Sequence, residues 1–288
     1  MSSRLRYLPF LSLAKSGDFI STCSLSPLGL FLAATTAGGS IMLWKLPEGR
    51  ECYPRLESGD MPSCLQWLPS PEIPTLLCGT ETGMLHTLKM KAQSGTLTIS
   101  GQALCQLPMK TLAYDTVRGL AAIAGHEVHV YSLTGRHQWI RIQLLPLPTP
   151  ISIIESHVEP TSIAWLCQEA ESQLLVGYQN HGIVLWDTTQ LTTVRLIKGQ
   201  SIGGVLCSHI QQFASVNSLQ NLEVYSIVSG LQWRPLETCQ SFDHIEALVT
   251  VHSGNGIAVQ SQGFLHIIDL KTGYLLQSVK FGHHQEAR

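Results

Sequence analysis

"LLVGYQNHGIVLWDTTQLTTVRLIKG", residues 174–199, holds the only Trp-Asp pair of the 288-residue chain, Trp186 and Asp187. When the chain is aligned on Trp186, five other segments end in a related way. They are "GGSIMLWKL" (38–46), "TGMLHTLKM" (82–90), "HEVHVYSL" (126–133), "QNLEVYSI" (220–227) and "QGFLHIIDL" (262–270). The Trp-Asp pair therefore belongs to a unit that the chain repeats.

The spacing of this unit indicates the fold class. The positions equivalent to Trp186 lie 39 to 55 residues apart and are Trp44, Leu88, Tyr131, Tyr225 and Ile268. Within the clearest unit, 19–53, short apolar strands are separated by turns rich in Gly, Pro and Ser. A period of about 40–45 residues with four short strands is typical of a propeller blade. The sequence predicts an all-β chain that forms a β-propeller with six recognisable four-stranded blades.

The blade boundaries follow from the same alignment. Residues 1–288 are predicted to form a single propeller domain. Its blades are predicted at approximately 19–58, 62–106, 109–146, 161–199, 203–237 and 245–281.

Several segments carry a resemblance to the WD-repeat (WD40-type) β-propeller family. The matching motifs are "SPLG" after the first strand, "LWKLPEG" and "VLWDTTQ" at the third strand, and "IIDLKTGYLLQSVKFGH" near residue 280. The resemblance implies a rigid disc that presents loops on two faces. In the family, an Asp in the turn before the Trp strand often ties the blade together. Here those turns read "TTAGGS", "GTETG", "AGHE", "YQNHG", "NSLQN" and "QSQG", without Asp, so apolar packing between sheets must hold the blades.

The family's way of closing the ring leaves two alternatives. The strand "RYLPFLSLAK" (6–15) would complete a blade whose other strands lie at the carboxyl end, and "FGHHQEAR" (281–288) resembles the start of a further repeat. We expect an incomplete seven-blade ring, with exposed apolar flanks on the sixth and first blades. The alternative is a complete ring of six blades.

Composition narrows the class of ligand. A net charge of -2 gives no basic patch of the kind that nucleic-acid binding needs, so nucleic acid is not expected as the main ligand. The uncharged stretch 19–44 is broken by turns into strand lengths, which argues against a membrane span. The eight cysteines form no C-x-x-C pair and no N-x-[ST] site occurs, which favours an intracellular protein, cytoplasmic or nuclear.

Motifs for chemistry are weak. "GQSIG" (199–203) fits a hydrolase nucleophile elbow, but the residues after Ser201 predict a strand, where the elbow needs a helix. "HEVH" (126–129) places His126 and His129 on opposite faces of a strand, which disfavours a metal site. We expect no catalytic residues, no metal and no cofactor.

Two classes of function remain. The first is a noncatalytic scaffold or adaptor that binds a protein partner through its loop faces. The alternative is a propeller-type hydrolase with a site built from loops at the central channel.

The loops that the family rule places on one face are mostly acidic. This face holds three lysines, Lys15, Lys110 and Lys198, against eight acidic residues: Asp18, Asp60, Glu81, Glu127, Glu155, Glu159, Glu237 and Asp243. Solvated loops explain such a face equally well. The functional interpretation is a partner with a basic surface.

The longest connection between repeats, "PLPTPISIIESHVEP" (146–160), is the first choice for a contact with the partner. Its isoleucines bind the partner or fold onto the blade edge. The predicted partner-binding residues are Asp60, Glu81, Ile151, Ile153, Ile154, Glu155, His157, Glu159 and Asp243.

Overall fold

The computed structural model describes most of the chain between residues 20 and 280. The described backbone covers 20–46, 48, 50–51, 56–57, 60–69, 73–91, 96–135, 138–148, 158–166, 172–179, 181–198, 201–207, 212–217, 222–228, 232–236, 242, 245–251, 256–269 and 272–280. The strands fall into two compact units, one within Pro9–Leu147 and the other from Pro148 onward.

The first unit contains three antiparallel sheets whose strands are neighbours in chain order. Sheet 1 comprises β1 (Ile20–Leu25), β2 (Phe31–Thr36), β3 (Ser40–Lys45), β4 (Arg50–Glu51) and β5 (Leu56–Glu57). Sheet 2 comprises β6 (Pro62–Leu68), β7 (Thr75–Thr80), β8 (Met84–Lys91) and β9 (Thr96–Ala103). Sheet 3 comprises β10 (Thr111–Asp115), β11 (Leu120–Ala124), β12 (Val128–Leu133) and β13 (Trp139–Leu145).

The second unit also contains three antiparallel sheets in chain order. Sheet 4 comprises β14 (Pro160–Leu166), β15 (Gln173–Tyr178), β16 (Gly182–Asp187) and β17 (Thr192–Lys198). Sheet 5 comprises β18 (Ser201–Cys207), β19 (Gln212–Asn217), β20 (Leu222–Val228) and β21 (Gln232–Leu236). Sheet 6 comprises β22 (Ile245–Val251), β23 (Gly256–Ser261), β24 (Phe264–Asp269) and β25 (Leu275–Lys280). The all-β prediction is confirmed.

Sheet 1 departs from the predicted four strands because its outer position is interrupted. β4 pairs with the carboxyl end of β3 and β5 pairs with its amino end, so both lie on the same side of β3. The sequence between them contains Pro54, which has no N–H to donate to a neighbouring strand.

The middle strands of sheet 1 bury both of their faces. On β3, Ile41 and Leu43 pack toward Trp67 of sheet 2, whereas Met42 and Trp44 belong to a cluster on the opposite face. Met42 is 1% exposed and Trp44 is 8% exposed. This flank of sheet 1 was expected to be exposed, and the structure shows that it is buried.

Sheet 6 shows the same two-sided burial. Ile257, Val259 and Ile268 pack with residues of sheet 5, while Ala258 and Ile267, which alternate with them, are 3% and 1% exposed. The expected apolar flank on the last blade is therefore also buried.

Trp44 and Trp186 occupy corresponding places, because each is the next-to-last residue of the third strand of its sheet. The Trp186 indole N–H donates to the Tyr178 hydroxyl at 3.2 Å, inside the sheet. Sheet 4 therefore satisfies its buried tryptophan with a tyrosine where the family uses a tie that includes Asp. Burial, opposed by that hydrogen bond, raises the pKa of Tyr178, so the hydroxyl stays protonated.

Replacing Tyr178 by Phe tests this bond. The change leaves the buried indole N–H of Trp186 without its acceptor, and we expect the free energy of unfolding to fall by about 1–3 kcal/mol. The matched control is Tyr225→Phe, because the Tyr225 hydroxyl donates to the Glu223 carboxylate, whereas the Tyr178 hydroxyl accepts from a buried indole N–H. Urea unfolding followed by circular dichroism measures both variants. Equal losses would contradict the role given to the Tyr178 acceptor.

Candidate interaction surface

Asp60 and Glu81, two of the predicted partner-binding residues, lie side by side in the first unit. Asp60 lies just before β6, and Glu81 lies in the turn between β7 and β8. The Glu81 N–H donates to the Met61 carbonyl at 2.9 Å, and the Thr82 hydroxyl donates to the Asp60 carboxylate. These bonds fix the loop that enters sheet 2 against the turn of the same sheet.

The β7–β8 turn is closed by a hydrogen bond and requires glycine at its last position. The Thr80 hydroxyl accepts the Met84 N–H at 3.0 Å, which closes the turn. Gly83 adopts a φ of 83°, and a Cβ at this position would lie 2.2 Å from the Cys105 carbonyl oxygen. Only glycine fits at this position, and the turn backbone that carries Glu81 and Thr82 is therefore well defined.

The charge on Asp60 is stabilised by its neighbours. Burial opposes ionisation of Asp60, but hydrogen bonds from Thr80, Thr82 and the Met61 N–H outweigh it, with help from nearby His86. The pKa of Asp60 is therefore lowered below its ordinary value. The carboxylate is ionised at neutral pH and its orientation is set by the hydroxyl groups around it.

The same arrangement continues onto sheet 3. The Met109 N–H donates to the Thr80 carbonyl at 3.0 Å, and the Lys110 N–H donates to the Ala124 carbonyl at 2.7 Å. The loop that enters sheet 3 thus joins the β7–β8 turn to the β11–β12 turn, which contains Glu127. We call Asp60, Glu81 and Glu127 the acidic edge of the first unit.

Glu159 lies in the second unit at the position that Met61 occupies in the first, directly before the first strand of its sheet. It precedes β14, and its carbonyl accepts the Gln179 N–H at 2.9 Å from the residue that follows β15. The predicted pairing of an entry loop with the turn between the second and third strands thus occurs in sheet 4 as well.

The remaining predicted partner-binding residues lie outside the described part of the chain. They are Ile151, Ile153, Ile154, Glu155, His157 and Asp243. The face residues Lys15, Asp18 and Glu237 also lie outside it.

The structure describes Ser201 of "GQSIG" and the residues of "HEVH" at 126–129, the two weak motifs for chemistry. Ser201 begins β18, which continues as a strand to Cys207, so the strand-turn-helix of a nucleophile elbow does not form there. His126 lies in an exposed turn, whereas His129 lies within β12 with its Nε2 3.5 Å from a Glu127 carboxylate oxygen. Within the described residues, no group of three or more His, Cys, Asp or Glu is arranged to hold a metal ion.

Sequence reasoning did not identify the threonines that hold Asp60. Thr80 and Thr82 flank Glu81 in "GTETG", and a hydroxyl on either side of a turn acid is a signal that points to such a clamp. The loop that provides Asp60 is about twenty residues away in the sequence, so the pairing itself needed the sheet register.

Comparison with solved structures decides the fold. The β-propeller domain of Cps50 (Swd1) from Myceliophteria thermophila superposes with a TM-score of 0.73 at 13% identity, over 93% of this chain and 88% of that one. The chain has the fold of a WD40-type β-propeller. Raptor from Chaetomium thermophilum gives a TM-score of 0.71 at 17% identity over 92% of this propeller, which spans 25% of the Raptor chain.

Comparison by sequence, unlike comparison of structures, finds no related protein. No protein-family model and no curated protein matches the propeller. The described part of the chain holds no helix with the length and apolar character needed to cross a bilayer.

The lowered pKa of Asp60 predicts a pH-dependent contribution to stability. An Asp with a lowered folded-state pKa stabilises the fold above its unfolded pKa, about 3.8, and this contribution is lost as the pH falls through the folded value. We expect Asp60→Asn to be less stable than wild type at about pH 7 and the difference to shrink below about pH 4. Urea midpoints across this range measure it.

Thr82→Val removes one donor to Asp60 and should lower stability over the same pH range, in the same direction. Thr116→Val is the matched control, since Thr116 is also an exposed turn threonine but lies between β10 and β11, at the opposite end of the strands. A deficit of Asp60→Asn that stays constant from neutral to acidic pH would show that the carboxylate charge is not what the clamp stabilises.

Proposed function

We propose that this propeller is a noncatalytic protein-interaction module that binds a partner with a basic surface through its acidic edge. The observation that supports the proposal is the clamp that joins Asp60 to the Glu81–Thr82 turn. The clamp places two carboxylates on neighbouring loops of one sheet and continues by backbone hydrogen bonds toward Glu127.

Rigidity makes such an edge effective in recognition. Because the turn is closed by hydrogen bonds and by Gly83, a partner pays little conformational entropy to order it. A row of acidic side chains on closed turns raises the rate at which a basic partner docks and disfavours acidic competitors. Three acidic residues outnumber the one lysine of the loop that enters sheet 3, Lys110, so the edge remains acidic overall.

The proposal extends to the residues beyond the first unit. Glu159 and Asp243, with Glu155 and His157, are proposed to continue the acidic contact on other sheets. Ile151, Ile153 and Ile154 are proposed to supply its apolar part. We propose that the sheets act as blades of one ring within a single domain, and that the protein works inside the cell, in the cytoplasm or the nucleus. No nucleic acid and no cofactor enter this proposal.

Charge reversal at Glu81 tests the function. Glu81 is exposed, and its turn is closed by groups other than its own side chain, so Glu81→Lys should fold normally. We expect the variant to lose the basic proteins that the wild-type chain captures from a cell extract, as measured by quantitative mass spectrometry. Capture by the wild type should weaken steeply as salt rises, because the contact is electrostatic.

Glu51→Lys is the matched control. It makes the same change of charge at an exposed residue of β4, away from the turns that form the acidic edge. Retained capture by Glu51→Lys with loss by Glu81→Lys supports the edge as the binding surface. Equal capture by both variants, or turnover of a panel of generic esters and glycosides by the wild type, would overturn the proposal.

A further inference from the structure

An apolar groove lies at the end of the first unit away from the acidic edge. It forms where the β1–β2 turn of sheet 1 meets the residues between β6 and β7 of sheet 2, and it has a volume of about 250 Å³. Its lining includes Pro27, Leu28, Leu30, Phe31, Trp67 and Pro74. We call it the Trp67 groove.

The walls of the Trp67 groove are held in place by hydrogen bonds and ring stacking. The Ser26 hydroxyl accepts the N–H groups of Leu30 at 3.1 Å and Phe31 at 2.9 Å, which fixes the turn. The Trp67 indole N–H donates to the Ser24 carbonyl at 2.9 Å, and the Trp67 and Phe31 rings stack with centroids 6.2 Å apart. The groove is therefore preformed in the free protein.

The chemistry of the lining selects an apolar occupant. The two side-chain polar groups of the wall, the Ser26 hydroxyl and the Trp67 indole N–H, are already engaged within the protein. Both acceptor sites of the Ser26 hydroxyl are occupied, so a polar ligand group would regain few of the hydrogen bonds that it gives up with water. An aliphatic or aromatic side chain loses nothing and buries apolar area.

The volume of the groove indicates which kind of ligand fits, a peptide side chain or a larger molecule. Pockets for drug-sized molecules are typically about 300–1,000 Å³, whereas a cavity of about 150 Å³ accepts a benzene ring. A volume of about 250 Å³ lies between these values. It suits one bulky side chain, with part of a second, from a peptide lying across the surface.

The leucines at the rim are exposed in the free protein. Leu28 is 72% exposed and Leu30 is 47% exposed, beside the open side of the groove. Large apolar side chains next to a preformed apolar groove are typical of a protein contact, since burying them on binding is favourable.

Charged residues at the strand ends beside the groove indicate the charge of the partner. In the strand register, Lys45 lies opposite Phe31, Arg50 lies opposite Lys45, and Lys89 lies opposite Thr75, with Lys91 ending the same strand β8. The described carboxylates at this end are Glu48, which pairs with Lys45 at 2.7 Å, and Glu51. Lys45 is paired with Glu48, so Lys89 and Lys91 against Glu51 leave the described side chains at this end of the two sheets with a small excess of positive charge.

We infer that the Trp67 groove binds a peptide segment of a partner protein in which a bulky apolar residue is flanked by acidic residues. The apolar side chain enters between Trp67 and the leucine rim, and the flanking carboxylates lie over the cationic strand ends. This surface is separate from the acidic edge and prefers the opposite charge in its partner, so one propeller can hold two different partners at once.

Labelled synthetic peptides test the inference on the full chain. Fluorescein-labelled decapeptides carry Leu-Phe at the centre with Asp/Glu, Ser/Gly or Lys/Arg flanks, and binding is followed by fluorescence anisotropy. We expect the acidic-flanked peptide to bind tightest. Leu28→Ser should weaken its binding about tenfold, because an apolar contact is lost at an exposed residue that the fold does not need.

Two control variants test whether binding depends on this groove. Leu107→Ser removes a leucine of similar exposure to Leu30, 46%, outside the groove, and should leave binding unchanged. Glu81→Lys should also bind the acidic-flanked peptide as the wild type does, even if it loses the partners of the acidic edge. Equal binding of all three peptides, equal effects of Leu28→Ser and Leu107→Ser, or self-association of the chain that Leu28→Ser abolishes would each overturn the inference; the last would assign the groove to a second copy.

Discussion

Burial of both faces of the inner strands is the constraint on which the rest of this protein depends. Sheets 1 and 6 each place apolar side chains on both sides, so each must be covered twice. Sheets 1 and 2 share one apolar cluster and sheets 5 and 6 share another, and hydrogen bonds such as that from the Trp67 indole to Ser24 add to the packing between neighbouring sheets. Because most of the apolar burial lies within the sheets, the turns at the strand ends can carry charged side chains such as Glu81.

Hydrogen bonds near the strand ends fix the local geometry, and the groups that form them differ from sheet to sheet. Sheet 2 uses a carboxylate held by threonines, and sheet 4 uses a tyrosine that accepts from a tryptophan. Trp67 instead donates across to the backbone of sheet 1, which links two sheets rather than one. These three bonds differ in their groups and in their burial, because the bond to the Asp60 carboxylate is exposed whereas that from the Trp186 indole is buried.

How much of this structure could be predicted from the sequence depends on how far apart in the chain the interacting residues lie. Periodicity and turn residues report local geometry, so the strands around Trp44 and Trp186 were predicted in type and place. The joining of Asp60 to the Glu81 turn was expected only through the family rule, and its threonine clamp was not expected at all. The Trp67 groove could not be predicted, because it forms between two turns whose approach depends on how neighbouring sheets pack. The buried flanks of sheets 1 and 6 were wrongly expected to be open for the same reason.

The direction of strand β8 has an electrical consequence. The strand begins beside the Glu81 turn and ends at its eighth residue, Lys91, a distance of roughly 24 Å for an extended chain. Three carboxylates against Lys110 lie at one end of the strands, whereas Lys89 and Lys91 lie at the other end of sheet 2, so charge is unevenly distributed along the strands. An approaching protein with its own separated charges would experience a torque before contact, and would arrive already turned toward the correct face.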